Sequence, residues 1–240
     1  MNAPVGPTAR EIVESTPARS FLKEVCSYPY GSEFVEALQR NLEITQDVFA
    51  GDPSFFGRLK AKTRTNALSA ISELWLAAHF IRNGWNTRRN EPEAGRKTSD
   101  FTVEVPSAPN PVTLNVEAKR AFGRPGAPLS EWDRPREWPS VPSTFSKSDF
   151  NTVLSRRRER ARRQLRPSGR LVRGVRVLAL DVTESHTYQR LLALDMQPHL
   201  PLTDFLMRGK PELLFGFAVG LNHAGLWYGR WLDPNEIRSA

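Results

Sequence analysis

The chain has a single cysteine, Cys26, and four histidines, His79, His186, His199 and His223, dispersed over 240 residues. One thiol closes no internal disulfide, and histidines so far apart build no Cys/His zinc centre, so the fold has to be held by packing. Long apolar runs are missing too. Nothing approaches the eighteen or so consecutive apolar residues of a spanning helix, and the opening MNAPVGPTAR has no apolar stretch to serve as a secretory signal. The expectation is a soluble, cytoplasmic protein without a membrane role. The composition, 39% hydrophobic and 25% charged, suits one globular domain with a sizeable core.

Acidic residues are scarce in one place. Lys and Arg number 34 against 26 Asp and Glu, a net charge of +8. Arg156 to Arg176 holds ten arginines (156, 157, 158, 160, 162, 163, 166, 170, 173 and 176) and one acid, Glu159; without that stretch the chain has 24 basic and 25 acidic residues. A basic block on an otherwise neutral chain is the footprint of a polyanion partner, because each neutralised phosphate releases condensed counterions. Nucleic acid is the first candidate. About five phosphate contacts would give a slope of about −4 to −5 in log affinity against log salt.

Residues 1–9 are rich in Pro, Gly and Ala and are expected to be disordered; residues 9–50 read as two helices parted at Pro29 and Gly31. The strongest helix runs from about Thr65 to Asn83, apolar nearly all round and therefore buried, with Gly84 as its C-terminal cap. A hairpin follows: Phe101, Val103 and Val105 alternate on one strand, and Val112, Leu114, Val116 and Ala118 on the next. Pairing Val105 with Val112 sets Asp100 opposite Glu117, Thr102 opposite Asn115 and Glu104 opposite Thr113, all on the polar face. Residues 121–143, interrupted by five prolines and holding Trp132 and Trp138, read as an irregular functional loop. The two tryptophans suit a hydrophobic staple or a platform for unpaired bases equally. A helix from Lys147 to about Arg166 carries a thin apolar stripe of Leu154, Ala161 and Leu165; strands follow at Val175–Val182, Leu213–Val219 and Leu226–Trp231.

Two carboxylates facing each other across a strand pair repel unless a cation lies between them. Lys119, two residues past Glu117, projects from the same face, so Asp100, Glu117 and Lys119 form one cluster. Oxygen ligands of this kind hold Mg²⁺, which polarises a phosphoryl oxygen and acidifies an attacking water, while a nearby ammonium orients that water or stabilises developing charge. Glu73 is a fourth member: its helical neighbours Ala70, Leu76, Ala77 and Phe80 are apolar, so its carboxylate needs a partner, for which a metal-bound water or Lys119 is expected. An isolated Glu-x-Lys is most often a solvated strand edge; its weight here comes from the conjunction with Asp100 and Glu73 in this order.

A helical Glu (ISELWLAAHF), an Asp opening a strand (SDFTV) and an apolar strand ending in Glu-x-Lys (LNVEAKR) resemble the PD-(D/E)XK nuclease superfamily. Ser99 stands where the motif's name puts proline. The resemblance implies an α/β fold with a mixed central sheet flanked by helices. It also implies a restriction-endonuclease-like αβββαβ core over residues 64–183, a helical N-terminal extension over 10–63 and a β-containing C-terminal extension over 184–240. It implies that Asp100 and Glu117, with the carbonyl of Ala118, ligate Mg²⁺, with Mn²⁺ able to substitute; that Glu73 supports the metal or its waters; and that Lys119 is the catalytic lysine. Gln164, in ERARRQL, is nominated as a polar helical residue of the site. Arg120, Arg156, Arg157, Arg160 and Arg163, with Gln164, are the expected nucleic-acid contacts.

The activity so implied is a Mg²⁺-dependent endonuclease cutting DNA by a metal-activated water without a covalent intermediate, one or two metals being left open. A second reading is a catalytically idle, nuclease-like subunit that binds nucleic acid within a larger assembly; a third is cleavage of RNA. Cutting both strands of a duplex implies a homodimer. The resemblance suggests a defence or mobile-element assembly.

Overall fold

Short, well-capped helices open the chain in the computed structural model, which describes residues 6–90, 98–106, 110–120, 147–165, 174–183, 202, 206 and 212–232. Residues 1–5 and the loop 121–143 with Trp132 and Trp138 lie outside the described residues, as do the side chains of Arg163 and Gln164. Helix α1 (Ala9–Glu14) starts in a reciprocal capping box: the Thr8 hydroxyl accepts from the Glu11 N–H, and the Glu11 carboxylate accepts from the Thr8 N–H. Residues 6–9, part of the stretch expected to be disordered, thus have a defined structure. Residues 9–50 then form four helices rather than two: α1, α2 (Phe21–Cys26), α3 (Gly31–Ile44) and α4 (Gln46–Phe49). The extra breaks have a local cause. The hydroxyls of Ser15 and Thr16 donate to the Ile12 carbonyl and that of Thr45 to the Asn41 carbonyl, taking acceptors at which the helix ends, and Ser20 then caps α2. Helix α5 (Pro53–Leu59) is capped by Asp52, with Pro53 in its first turn.

Helix α6 (Arg64–Arg82) matches the expected long buried helix to within a residue, and Gly84 follows it at φ 77°, the left-handed conformation that a helix-terminating glycine supplies. The remaining elements are β1 (Asn86–Arg89), β2 (Phe101–Val105), β3 (Val112–Arg120), α7 (Lys147–Gln164), β4 (Val175–Asp181), β5 (Glu212–Val219) and β6 (Leu226–Leu232). They build a mixed six-stranded sheet in the order β1-β2-β3-β4-β5-β6. The β1/β2, β2/β3 and β5/β6 pairs are antiparallel; β3/β4 and β4/β5 are parallel. The hairpin register is the one read from alternation, Val105 on Val112 through Phe101 on Val116.

Strand alternation sorts two cores onto the two faces of the sheet. Val103, Leu114, Val116, Val177, Ala179 and Phe215 pack under α6 and the N-terminal helices. Leu178, Leu180, Val182, Leu214 and Ala218 pack against Leu154, Ala161 and Leu165 of α7, the stripe read from the sequence. The protein is thus a mixed α/β structure with helices on both faces. Among the described residues no helix is long and apolar enough to cross a membrane.

Candidate active site

Continuing the β2/β3 register one step past Phe101 and Val116 places Asp100 opposite Glu117 at the mouth of the hairpin. The contact is physical: Asp100 Oδ2 accepts the backbone N–H of Ala118 at 2.8 Å. Glu117 is wholly buried, at 0% exposure in an interior strand, so the solvated-edge reading of Glu-x-Lys does not hold. The Lys119 ammonium donates to Glu117 Oε1, while Glu117 Oε2 is buried with no hydrogen-bond partner among the described residues. Burial and then the negative charge of Glu73 raise the Asp100 carboxyl to about 6, against the opposing pull of Lys119, the Ala118 N–H and Arg89. Asp100, Glu117 and Lys119 therefore come together as expected.

The segment that presents Asp100 is held by Asn90, a residue that no motif or alternation pattern singles out. Asn90 Nδ2 donates to both the carbonyl (3.0 Å) and the hydroxyl (2.8 Å) of Ser99, Asn90 Oδ1 accepts from Thr102, and the Asn90 N–H donates to the Asp100 carbonyl. Ser99, in the position of the motif's proline, is 1% exposed and fixed by hydrogen bonds instead of a ring.

Glu73 is buried at 6% exposure, as its apolar neighbours require, and both of its oxygens are met by arginines. Arg58 of α5 bridges both of its oxygens, at 2.5 and 2.6 Å, and Arg89 of β1 donates to Oε2 at 3.3 Å. Arg89 also pairs with Asp52 at 2.6 Å and lies over the rings of Phe49 and Phe55. Burial of a carboxylate is tolerated when a guanidinium fork meets it in this way.

Two further expectations change. Arg120, assigned to nucleic acid, is 9% exposed, donates to the Thr65 carbonyl and pairs with Asp181 at 3.7 Å. The cause is parity: one residue beyond Lys119, it points to the opposite face, under α6. Within the arginine block, Arg158, Arg162 and Arg176 converge on one acid, Glu212 of β5, at 3.2, 3.1 and 3.6 Å. Arg156 and Arg160 stay exposed and Arg157 is partly buried. Neither the Arg163 nor the Gln164 side chain is among those described.

Asp100, Glu117 and the Ala118 carbonyl are the residues that fit a metal. Two carboxylates and a backbone oxygen suit Mg²⁺, which keeps several waters and takes few protein ligands, and the unpartnered Glu117 Oε2 is an oxygen donor already stripped of solvent. Among the described residues no group of three or more His, Cys, Asp or Glu side chains is arranged to hold a metal ion. The donors at hand are two carboxylates and a carbonyl, while Glu73 is paired with Arg58 and Arg89.

Fold and site together define an α/β protein with an Asp/Glu/Lys cluster, built on the buried Glu117, at the mouth of a hairpin. No protein-family model matches the chain, and no curated protein or solved structure matches it significantly.

Proposed function

We propose that the protein is a Mg²⁺-dependent endonuclease of the PD-(D/E)XK kind, hydrolysing phosphodiester bonds of DNA. The observation that carries this reading is Glu117, buried with one unpartnered oxygen, facing Asp100 and bonded to Lys119. The element order α6-β1-β2-β3-α7-β4, with β3 and β4 parallel, supports the αβββαβ core that the resemblance implies. Arg156 and Arg160, exposed on α7, support a polyanion as the partner.

Asp100, Glu117 and the Ala118 carbonyl would hold the cation. Once bound, it would supply Lewis acidity toward the phosphoryl group and lower the pKa of an attacking water. The rest falls to the chain itself. Lys119 keeps a proton and a positive charge at the site, where it orients the water oxygen and stabilises charge as a bond to phosphorus forms. As that bond forms, the phosphorus–oxygen bond to the leaving sugar breaks; the water gives up a proton and the sugar oxygen gains one. Asn90 keeps Asp100 at its post through Ser99.

The pairing of Glu73 with arginine and the two-carboxylate donor set favour a second reading, an idle nuclease-like subunit that binds nucleic acid. Incubating the protein with supercoiled plasmid, single-stranded DNA and RNA, in Mg²⁺, Mn²⁺ or EDTA, separates the two. Metal-dependent cutting of DNA that is lost in Lys119→Ala and Asp100→Ala is the expected result. Salt-sensitive binding without cutting in any metal would replace it with the second reading, and cutting confined to RNA would reassign the substrate.

A further inference from the structure

A second basic stretch lies outside the arginine block. From Pro53 to Ser72 the chain holds Arg58, Lys60, Lys62 and Arg64 and not one acid, whereas residues 9–50 hold four basic and seven acidic residues. The positive charge of the N-terminal helical layer is therefore local. Arg58 is paired with Glu73. The other three occupy the corner between α5 and α6, where Lys62 is exposed, Lys60 and Arg64 are partly exposed, and Thr63, Thr65 and Asn66 are exposed beside them. Among the described residues no acid pairs with Lys60 or Lys62. The first turn of α6 has no acid either, so the positive end of the helix adds to the charge of the corner.

Two contacts fix where that corner sits. The Arg120 guanidinium donates to the Thr65 carbonyl at 2.7 Å, and the Ser72 hydroxyl donates to Asp181 at 2.5 Å. Arg120 and Asp181 are the last residues of β3 and β4 and face each other in the parallel register. Helix α6 thus lies across the carboxyl ends of these strands, its first turn against the residue that follows Lys119. Arg64 is held there over the ring of Phe21, its guanidinium carbon 5.7 Å from the centroid. Glu117 and Lys119 point to the α7 face and Arg120 to the α6 face, so the corner does not join the cluster. It flanks the same strand ends from the other side, and the carboxyl ends of strands are where α/β sheets receive their ligands.

We infer that Lys60, Lys62 and Arg64 form a second contact surface for the DNA backbone, so that the substrate crosses the ends of β3 and β4 between this corner and Arg156 and Arg160 of α7. Arg120 anchors the corner rather than touching the DNA. Lysines on flexible stems meet phosphates as point charges, which positions a duplex without reading its bases. The inference rests on the reading of DNA as the substrate and names where that substrate is held on the α6 side.

The test compares full-length wild type with three variants: Lys60→Gln with Lys62→Gln, Lys62→Gln alone, and Arg10→Gln with Arg40→Gln. Arg10 and Arg40 are exposed at the other end of α6, where the Ala9 N–H donates to Gln39 and Asn41 accepts from Arg82, and their loss removes the same two charges. Binding of a DNA duplex in Ca²⁺ is followed by anisotropy at roughly 50 to 200 mM salt, with thermal unfolding beside it. The lysine pair should make the salt slope shallower by about 2 and weaken binding by roughly 10- to 100-fold at about 100 mM salt, and Lys62→Gln alone should shift the slope by about 1. The Arg10/Arg40 variant should stay within about half a unit of the wild-type slope. Lysine variants that are folded and bind with the wild-type slope would overturn the inference while leaving the nuclease reading intact. An equal loss in the Arg10/Arg40 variant would overturn it too, by reducing the effect to net charge. Wild type that binds no duplex even at the lowest salt would fail the reading of DNA as the substrate, and this inference with it.

Discussion

At the residue scale the site concentrates cost. Glu117 is buried with an oxygen that nothing described satisfies, and Asp100 is pushed to about 6 by burial and by Glu73. Since an unfolded Asp titrates near 3.9, the folded state holds the Asp100 proton more tightly. The metal-free protein is therefore most stable, as far as this group is concerned, below about pH 4, and loses that stability as pH rises through about 6. Asp100→Asn should accordingly raise the melting temperature of the metal-free protein at pH 7.5 by about 2–6 °C while abolishing the Mg²⁺-induced rise expected of wild type; a scan with and without EDTA checks both. Asp100, Glu117 and Lys119 were legible in the sequence because strand parity and one hairpin register suffice to bring them together. Arg58, Arg89, Asp52 and Asn90 were not, because each meets the site through tertiary packing of α5 and β1 on α6 and β2. The inward side of Arg120 was legible: it follows Lys119 by one residue and so must face the other way.

At the element scale α6 and α7 do different work. Helix α6 packs a half-buried His79 against Phe80 and Phe215, and that burial, with Arg82 adding to it, lowers its pKa to about 4. The unfolded chain binds that proton near 6.5, so stability should fall by roughly 2–3 kcal/mol as pH drops from 6.5 to 4. Asp100 acts in the opposite sense across part of that window, so the His79 contribution is read as the difference between the denaturation profiles of wild type and His79→Leu. Helix α7 divides its arginines. Arg158 and Arg162 are fastened to Glu212 across the sheet; Arg156 and Arg160 are presented to solvent. Arg156→Gln with Arg160→Gln should reduce the salt slope of DNA binding by about 2, whereas Arg158→Gln with Arg162→Gln should leave the slope within about half a unit and destabilise the fold by about 1 kcal/mol. Equilibrium binding from 50 to 200 mM salt checks the slopes. The apolar stripe of α7 was readable from helical spacing, but its counter-charge was not, since Glu212 lies some fifty residues further along the chain. Strand β1 escaped for another reason: four residues, Asn-Thr-Arg-Arg, with Thr87 alone buried, show no alternation of apolar side chains.

At the scale of the whole molecule, a sheet with a helical layer on each face lets one hairpin mouth be approached by charge from both sides, Glu73 and Arg89 from one and Lys119 from the other. Strands β5 and β6, from the C-terminal extension, belong to the same sheet and give it the Phe215, Leu214 and Trp231 core positions, so the C-terminal region is structural to the domain. The positions of β2 to β6 followed from periodicity, and the α/β class with its mixed sheet is what the resemblance implies. The number of N-terminal helices did not, because Ser and Thr back-bonding, rather than a loss of apolar pattern, ends them. The central claim is that Asp100 and the buried Glu117 share a divalent cation. Calorimetric titration of the metal-free protein with Mg²⁺ at pH 7.5 and at pH 5.5, beside Glu117→Gln, tests it most directly. The account predicts one ion per chain at pH 7.5, weaker binding at pH 5.5 as Asp100 takes up its proton, and none in Glu117→Gln. Mg²⁺ binding that is absent from a folded wild type, or undiminished in Glu117→Gln, would contradict it.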